Sequence, residues 1–278
     1  MKLLSLLLPT VAALCVTATE TISTTATTTA SVCSTPTVDW PSVVPEANAT
    51  RRRNIGVVLF RTYTMLDIYG PLNALQFVAR LYPLNLYLLS HNLDPVSTEP
   101  TPEQNGPGSN FWFSVLPTHT FADAPDLDVL IVPGGFGWGE PDLQEHIDYI
   151  AQVYPSLEYL ITICVGSILA ARAGVLDGRN ATTNKRVWST TREYGPTTNW
   201  IGRARWVVDG NIWSSSGVSA GIDATVAWVN HVYGTVDANE ITNAMEYSAH
   251  RDPSWDPFAD HFNVTDSLTA LDEGTLVL

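Results

Sequence analysis

The chain is poor in cysteine and in positive charge. Among 278 residues there are three cysteines, three methionines and 14 Lys+Arg against 28 Asp+Glu, for a formal net charge of -14. A field of that sign repels phosphate backbones and anionic lipid, which excludes nucleic acid and membrane surfaces as partners. Charged residues make up only 15% of the chain and hydrophobic ones 45%. That balance excludes disorder as the dominant state. No Cys/His ligand cluster is present, so no metal site is expected. No apolar run after the first twenty residues is long enough to span a bilayer.

What is present begins with an address. "MKLLSLLLPTVAALCVTATE" has one Lys, a Leu-rich stretch and small residues at Val16 and Ala18, the pattern of a signal peptide over residues 1–18. A secreted, soluble product is expected. Asn48, Asn180 and Asn263 each open an N-x-T glycosylation sequon, in keeping with that route. Residues 19–53 read as a Thr/Ser-rich stalk ending in the basic cluster Arg51-Arg52-Arg53. The cluster is either a solvated cap on the domain edge or a processing site that frees a domain starting near Asn54. Asn180 is expected at or near a core strand.

From residue 55 strands and helices alternate. "IGVVLF", "LNLYLLS", "LDVLIVPGG" and "LEYLITI" are short apolar runs expected as buried strands. Pro71 suits a first helical turn and Pro141 opens a second helix, closed by Pro155. Residues 96–115 read as an excursion or hairpin. "WVVDGNIWSSSG" reads as a hairpin turning at Asp209-Gly210, followed by a helix with Ile222, Val226, Val229 and Tyr233 on one face. This alternation predicts one α/β domain over 54–250 with a mostly parallel sheet covered on both faces, then a tail over 251–278.

Ligands of such sheets sit at the carboxyl ends of the strands. Asp67, the glycine turn "VPGGFGWG" and Cys164 all fall there. Cys164 lies between a strand and a helix that starts near Gly166-Ser167, a sharp turn like a nucleophile elbow. Backbone N–H groups at the start of that helix face the same spot.

The motifs "LDIYGP" (66–71), "IVPGGFGWG" (131–139), "ICVGSILAARAGVLDGRNATT" (163–183), "SSGVSAGID" (215–223) and "EY" (246–247) resemble the ThiJ/PfpI superfamily. Within it the pattern is similar to isonitrile hydratases and to the ligand-sensing half of some AraC-type regulators. The resemblance implies a glutamine-amidotransferase-like, flavodoxin-like three-layer sandwich and a dimer. It implies Cys164 as nucleophile, Asp67 as its acidic partner, and the Gly135 and Val165 amides as donors to a developing anion. Gly134, Phe136 and Gly166 are expected near the substrate. Two departures stand out. Val165 replaces the threonine typical of isonitrile hydratases, and in "ATTN" Asn184 stands where many members carry a histidine. His91, His119, His146, His231, His250 and His261 all fall outside the motifs; His250, just past "EYSA", is the one kept in view.

A carboxyl and a thiol without a histidine must share protons. A helix N-terminus is worth roughly 0.3–2 kcal/mol to a thiolate, whereas a carboxylate about 4 Å away costs on the order of 4 kcal/mol. The pair is therefore expected to hold one proton, with thiolate and protonated Asp67 as the working form. That form suits hydration of an isonitrile to an N-substituted formamide, with no cofactor. Alternatives stay open: a glyoxalase- or deglycase-like enzyme, an amide hydrolase, or a secreted ligand-binding module without catalysis. A disulfide between Cys33 and Cys164 would remove the nucleophile. Asp223 reads as an early-helix charge, and "GWG" and "FWF" as core or contact aromatics.

Overall fold

The computed structural model describes residue 40 and residues 42–265. The leader and Cys33 lie outside the described residues. Seven strands form one sheet in the order β10-β11-β7-β6-β1-β2-β5. They are β1 (Arg53–Val58), β2 (Leu84–Ser90), β5 (His119–Thr120), β6 (Val129–Val132), β7 (Tyr159–Thr162), β10 (Trp206–Asp209) and β11 (Ile212–Ser215). All neighbours are parallel except β10 and β11, which form the expected hairpin with Gly210 at φ 61°. The excursion over 96–115 is an antiparallel pair, β3 (Val96–Ser97) with β4 (Ser114–Val115). A second small pair joins β8 (Asn180–Ala181) to β9 (Asn199–Trp200).

The helices form two groups. In one, α1 (Met65–Val78), α5 (Val218–Tyr233) and α6 (Thr235–Ala244) pack together. In the other, α2 (Gln144–Val153), α3 (Gly166–Arg172) and α4 (Trp188–Tyr194) follow one another. Strands β6 and β7 are buried along nearly their whole length, as a parallel sheet covered on both faces requires. Gly70 sets the approach of α1 to α5, because a Cβ there would come within 2.6 Å of Ile222. Among the described residues no helix is long and apolar enough to cross a membrane.

Three boundaries differ from the sequence reading. Helix α1 starts at Met65, six residues before Pro71, so the proline lies inside it. Its missing N–H leaves the Asp67 carbonyl without the usual helical partner. At the front, residues upstream of 54 are already bonded to the domain, Val43 and Glu46 among them. Arg53 is neither stalk nor solvated cap. Its side chain is fully buried, with Nε on Glu158 at 3.2 Å and Nη2 on Glu46 at 3.2 Å and Asn48 at 3.0 Å. Arg51 pairs with Asp128 and Glu158. The Val43 amide donates to Thr235 and the Glu46 amide to the Val232 carbonyl, so residues 43–53 strap the edge of α5 and α6. Removing this segment through Arg53 would take both arginine partners from Glu158 and the strap from Val232 and Thr235.

At the back, the expected tail is packed at least as far as residue 265. A short helix α7 (Pro257–His261) is capped by Asp256, Ala259 and Val264 are buried, and Trp188 Nε1 donates to the Thr265 carbonyl. The sequon asparagines Asn48, Asn180 and Asn263 are all exposed, Asn180 on the short β8 rather than in a core strand.

Candidate active site

Strands β1, β6 and β7 are neighbours, and the loops at their carboxyl ends meet at one point. The sheet switches direction there, with β2 to one side of β1 and β6 to the other. The loop after β1 leads into α1, whose third residue is Asp67; the loop after β6 carries Gly134 and Gly135; Cys164 follows β7.

Gly134 is the hub. A Cβ on it would lie 2.8 Å from Asp67 Oδ2, from Cys164 Cβ and from the Val165 nitrogen. The acid oxygen and the cysteine Cβ are therefore at most twice that distance apart. The Gly134 amide donates to Asp67 Oδ2 at 2.8 Å, while Asp67 Oδ1 is buried without any partner. A buried carboxylate oxygen left unpaired is costly and points at the reacting centre.

Cys164 holds φ at 56°, a left-handed conformation that a non-glycine residue adopts only under strain of about 1–3 kcal/mol. Its carbonyl accepts from Ser167 Oγ at 3.1 Å and Thr183 Oγ1 at 3.2 Å, which fixes the turn. Its thiol is free. Asn184 Nδ2 donates to the sulfur at 3.1 Å, and Asn184 Oδ1 accepts from the Arg186 amide at 2.9 Å. That second bond fixes the amide group with its donor end on the sulfur.

Burial, and then the Asp67 charge, push the Cys164 thiol up to about 12, against the Asn184, Val165 and Lys185 contributions that lower it. Burial also pushes the Asp67 carboxyl up to about 7, opposed only by the Gly134 amide. Of the two groups the thiol keeps its proton to the higher pH, so a proton shared between them favours sulfur. The resting form is thiol with carboxylate, and the thiolate with protonated Asp67 is reached only during reaction. The seven-residue α3 behind the cysteine is too weak to reverse this.

The Val165 amide donates to Cys164, and the Gly135 amide donates to no backbone group among the described residues. Gly135 is pressed against the Thr62 carbonyl, 2.4 Å from where a Cβ would stand. Gly134 is the hub described above. Phe136 points to solvent, and Gly166 packs under the Val132 and Pro133 carbonyls, so neither lines a cavity next to the sulfur. Such a cavity, about 410 Å³, has Asn184, Leu66, Ser216 and the first residues of α5 in its wall. Cys164 as a residue is only 5% exposed, and Asn184, which lines this cavity, contacts its sulfur.

Sequence reasoning missed three contributors. Asn184 was read as an absent histidine rather than as a donor to sulfur. Lys185 is buried, with Nζ on Thr182, Thr183, Ala204 and Ser216 and paired with Asp256 Oδ2 at 3.2 Å. Asp256 lay in the expected tail, so nothing local could signal it. Asp223 is not an early-helix charge: it sits in a buried cluster with Arg205, Tyr247 and the His250 amide. His250 stacks on Trp255, and His146 Nε2 donates to the Leu59 carbonyl, with its pKa lowered by burial to about 4. No histidine contacts Cys164 among the described residues. Trp138 packs on Tyr194, and Phe113 on Tyr63 and Tyr69. No metal-binding group of three or more His, Cys, Asp or Glu exists among the described residues.

The DJ-1/PfpI family model matches residues 53–231, the span that carries Asp67, Gly134, Cys164 and Asn184. The chain belongs to the DJ-1/PfpI family. It is 32% identical over 196 residues to isonitrile hydratase of Pseudomonas putida, covering 70% of this chain and 78% of that protein. It is 25% identical over 210 residues to the HTH-type transcriptional regulator GbdR of Pseudomonas aeruginosa, covering 74% of this chain but about half (52%) of the regulator. Among solved structures, a ThiJ/PfpI family protein from Pseudomonas syringae superposes with a TM-score of 0.61 at 24% identity, over 78% of this chain and 86% of that one. Drosophila melanogaster DJ-1beta does so at 0.54 and 16%, over 71% and 100%. These structural likenesses establish the α/β fold of the family member.

Proposed function

We propose that the protein is a secreted, cysteine-dependent hydratase that converts a small isonitrile to an N-substituted formamide without a cofactor. The observation that carries this reading is the buried Asp67 carboxyl, one oxygen of which has no partner, set close to Cys164. Similarity to isonitrile hydratase adds weight. The leader and the three exposed sequons support secretion.

The chemistry runs through one proton. Asp67 carboxylate takes the Cys164 proton as sulfur bonds to the terminal isonitrile carbon, and the acid so formed delivers that proton to the same carbon. Adding S–H across that carbon gives a thioimidate, Cys164–S–CH=N–R. Water then adds to the carbon, its oxygen bonding there and one hydrogen passing to nitrogen. The C–S bond breaks, the hydroxyl proton returns by way of Asp67 to sulfur, and R–NH–CHO leaves. The Gly135 and Val165 amides serve the oxygen while it carries charge. Asn184 supports the thiolate without competing for its proton, which a histidine would do.

Incubation with cyclohexyl isocyanide is expected to yield the formamide, with no product from Cys164→Ser. Formamide from that variant at the wild-type rate would refute the assignment. A non-catalytic binding module is the second reading, favoured by the burial of Cys164. It requires ligand binding with no turnover in the same assay.

A further inference from the structure

In so acidic a chain, no Asp or Glu lines the cavity beside Asn184, whereas Lys185, Arg186 and Arg205 do. Two of those charges are matched from behind, Lys185 by Asp256 and Arg205 by Asp223. Arg186 is exposed, and its guanidinium makes no ion pair among the described residues. Across the same cavity, the 16-residue α5 presents its N-terminus through Gly217, Val218 and Ser219, with no side chain capping its first amides. Leu66, Val218, Phe258 and Phe262 supply an apolar wall, and three of them are exposed large side chains. The cavity thus pairs an apolar surface with one unmatched cation and open amides, a combination that recognises an apolar body bearing an anionic group.

We infer that the preferred substrate is an isonitrile carrying a carboxylate on an apolar body, with the carboxylate held by Arg186 and the isocyano group directed past Asn184 to Cys164. This rests on the isonitrile reading and adds to it the substrate class. The guanidinium fork matches a carboxylate in two parallel bonds. Arg186 lines the same cavity as Asn184, and Asn184 contacts the sulfur, so an anchor at Arg186 serves that site. Hydration of such a substrate gives an N-formyl amino acid, which keeps the carboxylate and binds the same cavity as product.

The test compares the isocyano analogue of phenylalanine, as its carboxylate and as its methyl ester, with wild-type protein and Arg186→Gln. Arg186 is exposed, so the variant keeps its fold. The carboxylate is expected to exceed the ester in kcat/KM by roughly 10- to 100-fold in the wild type. In Arg186→Gln that preference falls toward unity, mainly through KM. Equal or better use of the ester, or a preference untouched by Arg186→Gln, overturns the inference while leaving the hydratase reading standing. If neither isonitrile nor cyclohexyl isocyanide is turned over, the hydratase reading fails. Calorimetry with N-formylphenylalanine then still decides the anion site: binding lost in Arg186→Gln supports it, and no binding to the wild type overturns it.

Discussion

Replacing Asp67 by Asn tests the proton account in both of its parts. The amide is nearly isosteric, and its oxygen can accept the 2.8 Å bond from Gly134 that Oδ2 accepts now. What changes is the charge. A unit charge about 5 Å from the sulfur, at an effective dielectric of about 20, is worth about 3 kcal/mol, near 2 pH units. The thiol should fall from about 12 toward about 10, with burial still holding it above the ordinary range. The rate of alkylation by iodoacetamide, followed from pH 6 to pH 11 by intact mass, should turn over within that range in Asp67→Asn and still be climbing at its upper end in the wild type. Turnover moves the opposite way. A more acidic thiol without its base should lose roughly 100- to 10,000-fold in kcat. A midpoint equal to or above that of the wild type would refute the pairing of these groups, as would full activity in Asp67→Asn. Stability supplies a third reading. The unfolded chain loses the Asp67 proton near pH 4, whereas the folded chain keeps it to about pH 7. Between those limits the folded state loses ground as pH rises, on the order of 4 kcal/mol by pH 8. Urea titration should find Asp67→Asn gaining on the wild type across that window, and no gain would contradict the burial argument.

Other outcomes follow from the same geometry. Activity on any isonitrile should rise as pH passes about 7, where Asp67 ionises, and stay level into the alkaline range while the thiol remains protonated; a fall across pH 7 in kcat/KM would contradict this. Asn184→Leu removes the donor on sulfur, and alkylation at pH 9 should slow by about tenfold or more. Gly134→Ala places a methyl 2.8 Å from Asp67, Cys164 and Val165, and should cost about 1–3 kcal/mol in urea titration with a loss of turnover. Arg53→Met should cost about 3 kcal/mol, at the low end for a buried ion pair because Glu46 and Glu158 are partly solvated.

The sequence discloses what is local and hides what is distant. Asp67, Gly134, Gly135 and Cys164 are legible because each sits in a short turn directly after an apolar strand, and the strand order brings those turns together. Proline placement misled once. Pro71 reads as a helix start, yet tertiary packing of Gly70 against Ile222 extends α1 six residues upstream of it. Arg53 reads as part of a solvated triplet, since its burial depends on Glu46 and Glu158 arriving from two separate segments. The Lys185–Asp256 pair is equally non-local. The location of the shared proton could not be judged from residue types, because it turns on burial of the sulfur against burial of the acid.

The central claim is that isonitrile carbon bonds to Cys164 before water arrives. Intact-mass spectrometry of the protein mixed rapidly with cyclohexyl isocyanide and quenched in acid measures this most directly. The account expects a transient gain equal to the whole isonitrile mass, mapped to the peptide carrying Cys164 and absent in Cys164→Ser. Steady formamide production with no such adduct, or an adduct that persists in Cys164→Ser, would contradict it.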